Sequence, residues 1–444
     1  MRRLVISLAA LATLCTPLRA QGLREKVSQL FIFGPGQDPL FLGGSADPNN
    51  PASIQLHGDH FVPSASAGNG TIISFITGAV STNVADFPFS AASGGTTFRF
   101  EGGVPVATAT SPGPVFAERA QTLGRGRILV GFAYSSFRYA TLRGVDLNNI
   151  HLTFTHENVT GAECDSVAGK SCDPMGVPTL ENDIMPFTLR LDIHVAVASF
   201  VVTYGITDRL DIGIALPLVS TTLTGQSEAQ IIPFGGTTAT HFFAGTPSNP
   251  VLSASRSVQG SATGLGDVAV RLKFNVHSSD RGGVALLADA RLATGSSRDL
   301  LGAGRFSGRV VGVLSSRFGD FSPHANVGYL YRVGTLRNDA VVATAGFDHQ
   351  LAPWVTLVAD AISQWQVGDS KLTLPGVVTI TTPFLRTVNP SEIPDTRDDL
   401  INASLGFKFT LGGGPNIITN ALFPLNRGGL RPNMLFTLGV EYSF

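Results

Sequence analysis

Charge is scarce in this chain. Of its 444 residues only 14% are Asp, Glu, Lys or Arg, against about 25% in an average soluble domain. The formal net charge is −1, so there is no basic excess to meet a phosphate backbone, and nucleic acid is excluded as a partner. Long apolar runs are missing too. After the N-terminus no hydrophobic stretch is long and uniform enough for a membrane helix, which needs about 20 residues. No Gly-x-Ser-x-Gly stretch occurs, so the nucleophile turn of a common hydrolase class is lacking. Gly34-Pro35-Gly36 and Gly412-Gly413-Gly414 carry no phosphate-loop Lys-Ser/Thr. Nucleotide binding is dismissed on that ground, and no cofactor is expected. Cysteine is limited to Cys15, Cys164 and Cys172.

What the chain does have is alternation. In the last twelve residues Met434, Phe436, Leu438, Val440, Tyr442 and Phe444 share one face, while Asn433, Thr437, Gly439, Glu441 and Ser443 share the other. Only Leu435 breaks the pattern. A period of two marks a strand with a greasy side and a polar side. Such segments recur back along the chain. Apolar-out, polar-in segments of about ten residues, repeated many times, are the signature of a transmembrane β-barrel. The 50 glycines suit its turns and close strand packing.

Residues 1–20 read as a secretory signal peptide, with Arg2 and Arg3 ahead of a short apolar stretch from Leu4 to Leu14 and a cleavage site at Ala20. Cys15 is expected to leave with it rather than to carry lipid. Export to an oxidising compartment makes Cys164 and Cys172 a disulfide candidate across a small polar loop. A metal held by these two thiols is the weaker reading, since no pair of histidines lies near them.

The remaining chain divides at Gly126. From 126 to 444 the faces can be traced strand by strand. Val268, Val270, Leu272, Phe274 and Val276 point outward, with Asp267, Arg271, Lys273 and Asn275 inward. Val284, Leu286, Ala288, Ala290 and Leu292 oppose Asp289 and Arg291; Ile401, Ala403, Leu405, Phe407, Phe409 and Leu411 oppose Asn402, Ser404, Lys408 and Thr410. Between Phe187 and Thr203 the same rule assigns Leu189, Leu191, Ile193, Val195 and Val197 outward and Arg190, Asp192 and His194 inward. A soluble sandwich also alternates, but it needs a second apolar layer. Connections alternate in length. Short turns lie at 207–208, 278–282, 318–320, 352–353 and 412–415, and long loops at 158–186, 224–263, 295–304 and 367–398. Outer-membrane barrels place short turns in the periplasm and long loops outside. Thirteen candidate strands follow Gly126. Barrels of this kind have even numbers, so a first strand is sought within 96–110. Fourteen strands is the first choice, within a range of twelve to sixteen.

Residues 21–125 differ. Glu25 to Phe33 is amphipathic, Thr71 to Val84 has the spacing of a short helix, and Val115 to Thr122 suggests a helical turn. The stretch is long for a structureless leader and is expected to form a plug-like or periplasmic region.

Several stretches resemble an outer-membrane family named for the meta-pathway of phenol degradation, which is grouped with the long-chain fatty-acid transporter barrels. They are Tyr204 to Asp211 (YGITDRLD) with Leu216-Pro217, Gly264 to Val268 (GLGDV), Arg291 to Gly295 (RLATG) and Leu301 to Gly304 (LGAG). The family usually has proline where this chain has Ala293. The resemblance covers roughly residues 190–444. It implies passive uptake of small hydrophobic or aromatic compounds.

The functional candidates are the charges assigned to the lumen: Arg190, Asp192, His194, Arg209, Asp211, Asp267, Arg271, Lys273, Asp289, Arg291, Arg305 and Arg309. Their first role is structural, as cross-strand pairs of opposite charge; their second is to tune what passes. Both signs are present, so no strong ion preference is expected. His194 with Asp192 and Asp211 could make a base and its orienting carboxylate, the basis of an outer-membrane hydrolase alternative. His57 and His60 form a loose metal pattern, and a hydrogen-bonded loop explains them better. A structural or adhesive barrel without transport is the third alternative. The partners implied are outer-membrane lipid, the barrel-assembly machinery and a small hydrophobic solute.

Overall fold

The computed structural model describes residues 21–33, 63–86, 98–101, 104–107, 116–155, 183–233, 242–246, 249–279, 281–334, 337–380, 384–412 and 414–444. Residues 1–20, where a signal peptide is expected, and His57, His60, Cys164 and Cys172 lie outside them.

Two helices and a set of strands follow in chain order. The helices are α1 (Leu23–Gln29) and α2 (Pro63–Ala85). The strands begin with β1 (Phe98–Glu101), β2 (Val104–Ala107), β3 (Ile128–Leu142), β4 (Val145–Asp146), β5 (Ile150–Thr155), β6 (Ile184–Thr207) and β7 (Leu210–Gln230). Next come β8 (Ala244–Thr246), β9 (Asn249–Val251), β10 (Ser253–Leu265), β11 (Ala269–Ser279), β12 (Gly282–Arg291), β13 (Ser307–Ser316) and β14 (Phe321–Arg332). The last are β15 (Ala340–Ala352), β16 (Val355–Gln366), β17 (Val378–Ile380), β18 (Arg386–Val388), β19 (Leu400–Thr410), β20 (Asn416–Pro424) and β21 (Leu430–Ser443).

Twelve strands close into an antiparallel barrel: β3, β6, β7, β11 to β16, and β19 to β21. The seam joins the last strand to the first, with Ser443 opposite Leu129 and Val440 opposite Phe132. It ends in a reciprocal pair of backbone bonds between Ile128 and Phe444, both 2.9 Å. No strand edge is left open around the closed ring, as a spanning sheet requires. Twelve strands replace the first choice of fourteen. The segment sought upstream does form strands, but β1 and β2 pair with each other and not with the barrel. A second difference lies in 224–263. Its Ser, Thr, Gln and Gly content reads as loop, yet β7 continues to Gln230 and β10 pairs with it from Ser253 to Leu265. With β11, β10 makes one strand broken only at 266–268, since β11 continues the same ladder against β7.

The outer wall around the ring is apolar. Phe132, Phe200, Leu216, Phe274, Leu286, Val310, Leu405 and Phe436 are all exposed, as they must be where lipid tails replace water. Trp365 is exposed on β16. Trp354, whose parity turns it inward, is also exposed and stacks on Phe409. A bulge at Gln350–Ala352 shifts the register just before it.

The interior holds a helix and a threading segment. α2 has no charged residue in its first or last turn, and from Ile72 to Ala85 nearly every side chain is buried. A helix apolar on all sides belongs in a core, here inside the barrel. It starts earlier than the sequence pattern suggests. Its end is held by the Arg291 guanidinium, which donates to the Ala85 carbonyl at 2.7 Å, a cation at the negative end of the helix dipole. Residues 116–123 thread the lumen without helical structure, so the helical turn expected there is absent. Their backbone is bonded to the wall strands instead.

Candidate functional site

The wall changes character along the barrel axis, and this decides where each charge sits. In the lower part of β6 the outward residues are Phe200, Val202, Tyr204 and Ile206, all exposed. In its upper part the parity is unbroken, yet the buried face is Leu189, Leu191, Ile193, Val195 and Val197. These pack in one core with Leu23, Val27, Leu30, Phe31 and Phe154, and Phe31 stacks on Phe187 at 4.5 Å. Full burial of such side chains is worth about 1.5–3 kcal/mol each. The outward assignment of Leu189 to Val197 is therefore reversed. Arg190, Asp192 and His194 lie on the outer surface, where Arg190 pairs with Glu228 at 2.7 Å and Asp192 with Arg138 at 3.1 Å. Above the lipid belt the outside is water, so polar residues turn outward and apolar ones cover α1.

Arg209 is exposed in the β6–β7 turn, away from the lumen. Arg305 is exposed ahead of β13 and reaches a small pocket it shares with Thr82 and Asp86 at the end of α2. Asp267 is buried at the break between β10 and β11, where its carboxylate accepts the Gly295 and Ala303 N–H groups at 2.8 and 2.7 Å. It ties the RLATG and LGAG stretches to GLGDV.

The remaining candidates meet inside. Asp289 accepts from Arg271 at 3.1 Å, Arg291 at 3.2 Å and Arg309 at 3.2 Å. Arg271 also donates to Glu118 of the threading segment at 2.6 Å. Lys273 donates to the Arg119 carbonyl at 3.3 Å, and Asn275 to the Ala120 carbonyl at 2.7 Å. Asp211 accepts the Leu123 N–H at 3.0 Å. Arg119 pairs with Asp348 on β15, next to His324, whose Nε2 lies 2.7 Å from Asp360. Sequence reasoning missed Glu118, Arg119, His324, Asp348 and Asp360. Their strand parity was a usable signal for the last three. For Glu118 and Arg119 none existed, because the helical turn expected over Val115 to Thr122 does not form and gives no parity against a wall strand. His194 and Asp192 are outside and Asp211 is inside, so these three do not form a base with its orienting carboxylate.

Between this charged network and the end of α2 lies a cavity of about 180 Å³. Its walls are largely apolar: Phe116, Phe137, Val311, Val342, Ile362, Leu422, Leu430 and Leu435. Polar and charged side chains also reach it, among them Asn83, Asp86, Glu118, Arg309, Asn326, Gln364 and Arg431. A mostly apolar hollow with convergent polar groups is the usual build of a small-molecule site.

The fold thus defines a twelve-stranded antiparallel barrel of the membrane-spanning type with a folded segment in its lumen. No family model and no curated protein matches the chain. Among solved structures, an outer membrane channel from Pseudomonas putida F1 aligns with 73% of this chain and 98% of its own at 11% identity and a TM-score of 0.40. A Pseudomonas aeruginosa FadL homologue aligns with 82% of this chain and 97% of its own at 9% identity and a TM-score of 0.33. The Pseudomonas putida toluene transporter TodX aligns with 72% and 88% at 9% identity and 0.28. At these scores the likenesses carry no argument about what this chain does.

Proposed function

We propose that this barrel is an outer-membrane channel through which small hydrophobic or aromatic solutes enter by passive diffusion, with residues 21–125 restricting the bore. The cavity beside α2 carries this reading. A dry cavity of about 150 Å³ holds one benzene molecule, and the hollow here, about 180 Å³, is of that size. It lies in the lumen, enclosed by a lipid-facing wall, so a solute held there is part-way across. The interior charges answer one another across strands and against residues 116–123. That favours an anchoring role for Arg271, Lys273, Asp289, Arg291 and Arg309 and leaves no single-signed lining to select ions. The reading assigns no catalytic step.

The test is flux of toluene-sized solutes into liposomes containing the folded protein. Filling the cavity with Val342→Trp should lower flux several-fold while the barrel keeps its heat-modifiable mobility on gels. Loosening the threading segment with Arg119→Ala should raise leak of unrelated small solutes. If the intact protein passes no small organic solute, the channel reading fails and a structural or adhesive barrel replaces it.

A further inference from the structure

On one arc the wall continues far past the rest of the barrel. β12 ends at Arg291, opposite Ala269, which itself lies opposite Ala215. From that level β7 runs on to Gln230, paired with β6 on one side and β10 on the other. The outward side chains of β7 are apolar up to Leu218 and then become Ser220, Thr222, Thr224, Gln226 and Glu228. β10 matches them with Thr263, Ser261, Gln259, Ser257 and Ser255. β6 contributes His194, Asp192, Arg190 and Thr188.

The registers place these residues in rows: His194–Thr222–Ser261, Asp192–Thr224–Gln259, Arg190–Gln226–Ser257 and Thr188–Glu228–Ser255. Strands lie about 4.8 Å apart, and same-face residues about 6.7 Å apart along a strand. The face is thus a regular grid of hydroxyls, amides and paired charges, exposed on β7 and β10 and half-buried on β6, without Phe, Tyr, Trp or lysine in these rows. It is stiff, because every alternate residue of β6 is buried against the inner core and α1 is fastened behind it, the Ser227 hydroxyl donating to the Leu30 carbonyl at 2.6 Å. A rigid grid of donors and acceptors loses little entropy on binding a polyol. From Ser220 to Gln230 the strand climbs roughly 25 Å above the apolar belt at about 3.3 Å per residue and a tilt near 40°.

We propose that this outward face of β6, β7 and β10 docks the saccharide headgroup of the outer-leaflet glycolipid. The proposal rests on the outer-membrane reading above, with the long connections outside. The face is continuous with the lipid-facing belt on the same three strands, so whatever fills the leaflet beside Leu216, Leu218 and Leu265 presents its headgroup to these rows. In such a membrane that headgroup is an oligosaccharide, and its hydroxyls meet hydroxyl and amide partners.

The test uses the full chain folded into lipid nanodiscs of phosphatidylethanolamine and phosphatidylglycerol. Lipopolysaccharide with its core sugars, or lipid A without them, is added as probe. Retained glycolipid per barrel is read by native mass spectrometry, and backbone protection of 220–230 by hydrogen exchange. The sugar-bearing probe should be retained at least ten-fold better than lipid A and should protect this stretch. A Thr222→Val, Thr224→Val, Gln259→Leu variant, which keeps strand-forming side chains, should lose that preference and still run as a folded barrel. Equal retention of the two probes, or a variant that keeps the preference, overturns the proposal. So does protection of 220–230 that depends on protein concentration and not on the sugar, which would mark contact with a second copy. Solute flux in parallel liposomes reports on the channel reading alone. Sugar preference without flux sinks that reading and leaves the docking surface standing.

Discussion

Asp289 accepts hydrogen bonds from three arginines while nearly fully buried, and that sets what its loss must do. Asp289→Ala leaves Arg271, Arg291 and Arg309 crowded without their shared anion. Breaking a buried pair in this way costs about 3–5 kcal/mol, so the urea midpoint of the folded barrel should fall sharply, whereas Arg190→Ala on the outer surface should shift it by at most about 1 kcal/mol. Gly205 is a second sensitive residue. A Cβ there would lie 1.9 Å from the Gly124 carbonyl oxygen, where the luminal segment leaves the barrel beside β6. Gly205→Val should displace that exit and make the stretch upstream of Gly126 open to protease, at a cost of at least about 1–3 kcal/mol. At the outer end, the hydrogen bond and charge of Arg298 hold the Glu25 carboxyl below the ordinary glutamate range. A lowered carboxylate pKa adds stability above the unfolded value that is lost as pH falls through the folded one. Hydrogen exchange in α1 should therefore rise only under acid conditions, and by a small amount because the pair is exposed.

At the scale of elements, the seam between β21 and β3 depends on the final residues. Deleting Tyr442 to Phe444 removes both Ile128–Phe444 backbone bonds and the Tyr442–Val130 and Ser443–Leu129 pairs. Unpaired backbone in lipid is costly, so the truncated chain should give no heat-modifiable band; a normal band would refute the closure described. The face of β21 could be read directly from its sequence, since large apolar residues alternate with Thr, Gly, Glu and Ser without a break from Phe436 onward. β10 could not. Ser253 to Leu265 has no large apolar residue on either face until Leu265, because its inward positions Val258, Gly260 and Ala262 must admit α1; a Cβ on Gly260 would come within 2.8 Å of Leu23. The strand had to be small where Leu23 and Lys26 of the helix reach it, and that removed the alternation by which a strand is recognised.

For the whole molecule, the expected topology puts the connection at 156–182 on the long-loop side and Ser279 at a short turn on the other. Tags placed in both should be labelled on intact cells only in the first. Labelling at Ser279 would invert the barrel and remove the basis for glycolipid docking. The sequence by itself determined that strands exist, that they are two-faced, that they are many and joined by short and long links in turn, and that a lipid-facing barrel results. Those features follow from local chemistry: a period of two, turn residues, and too few charges for a water-soluble surface of this size. It also brought out Asp267, Arg271, Asp289 and Arg291 as inward, because charge on the lipid side is expensive. Only the tertiary structure decided which face of upper β6 looks out. Alternation fixes two faces but not the solvent each one meets, and that solvent changes from lipid to water along a single strand. Likewise Glu118 and Arg119 became partners of Arg271 and Asp348 only once the chain was threaded through the lumen. No local pattern encodes a contact between residues separated by 153 and 229 positions; it exists because the closed wall brings them together.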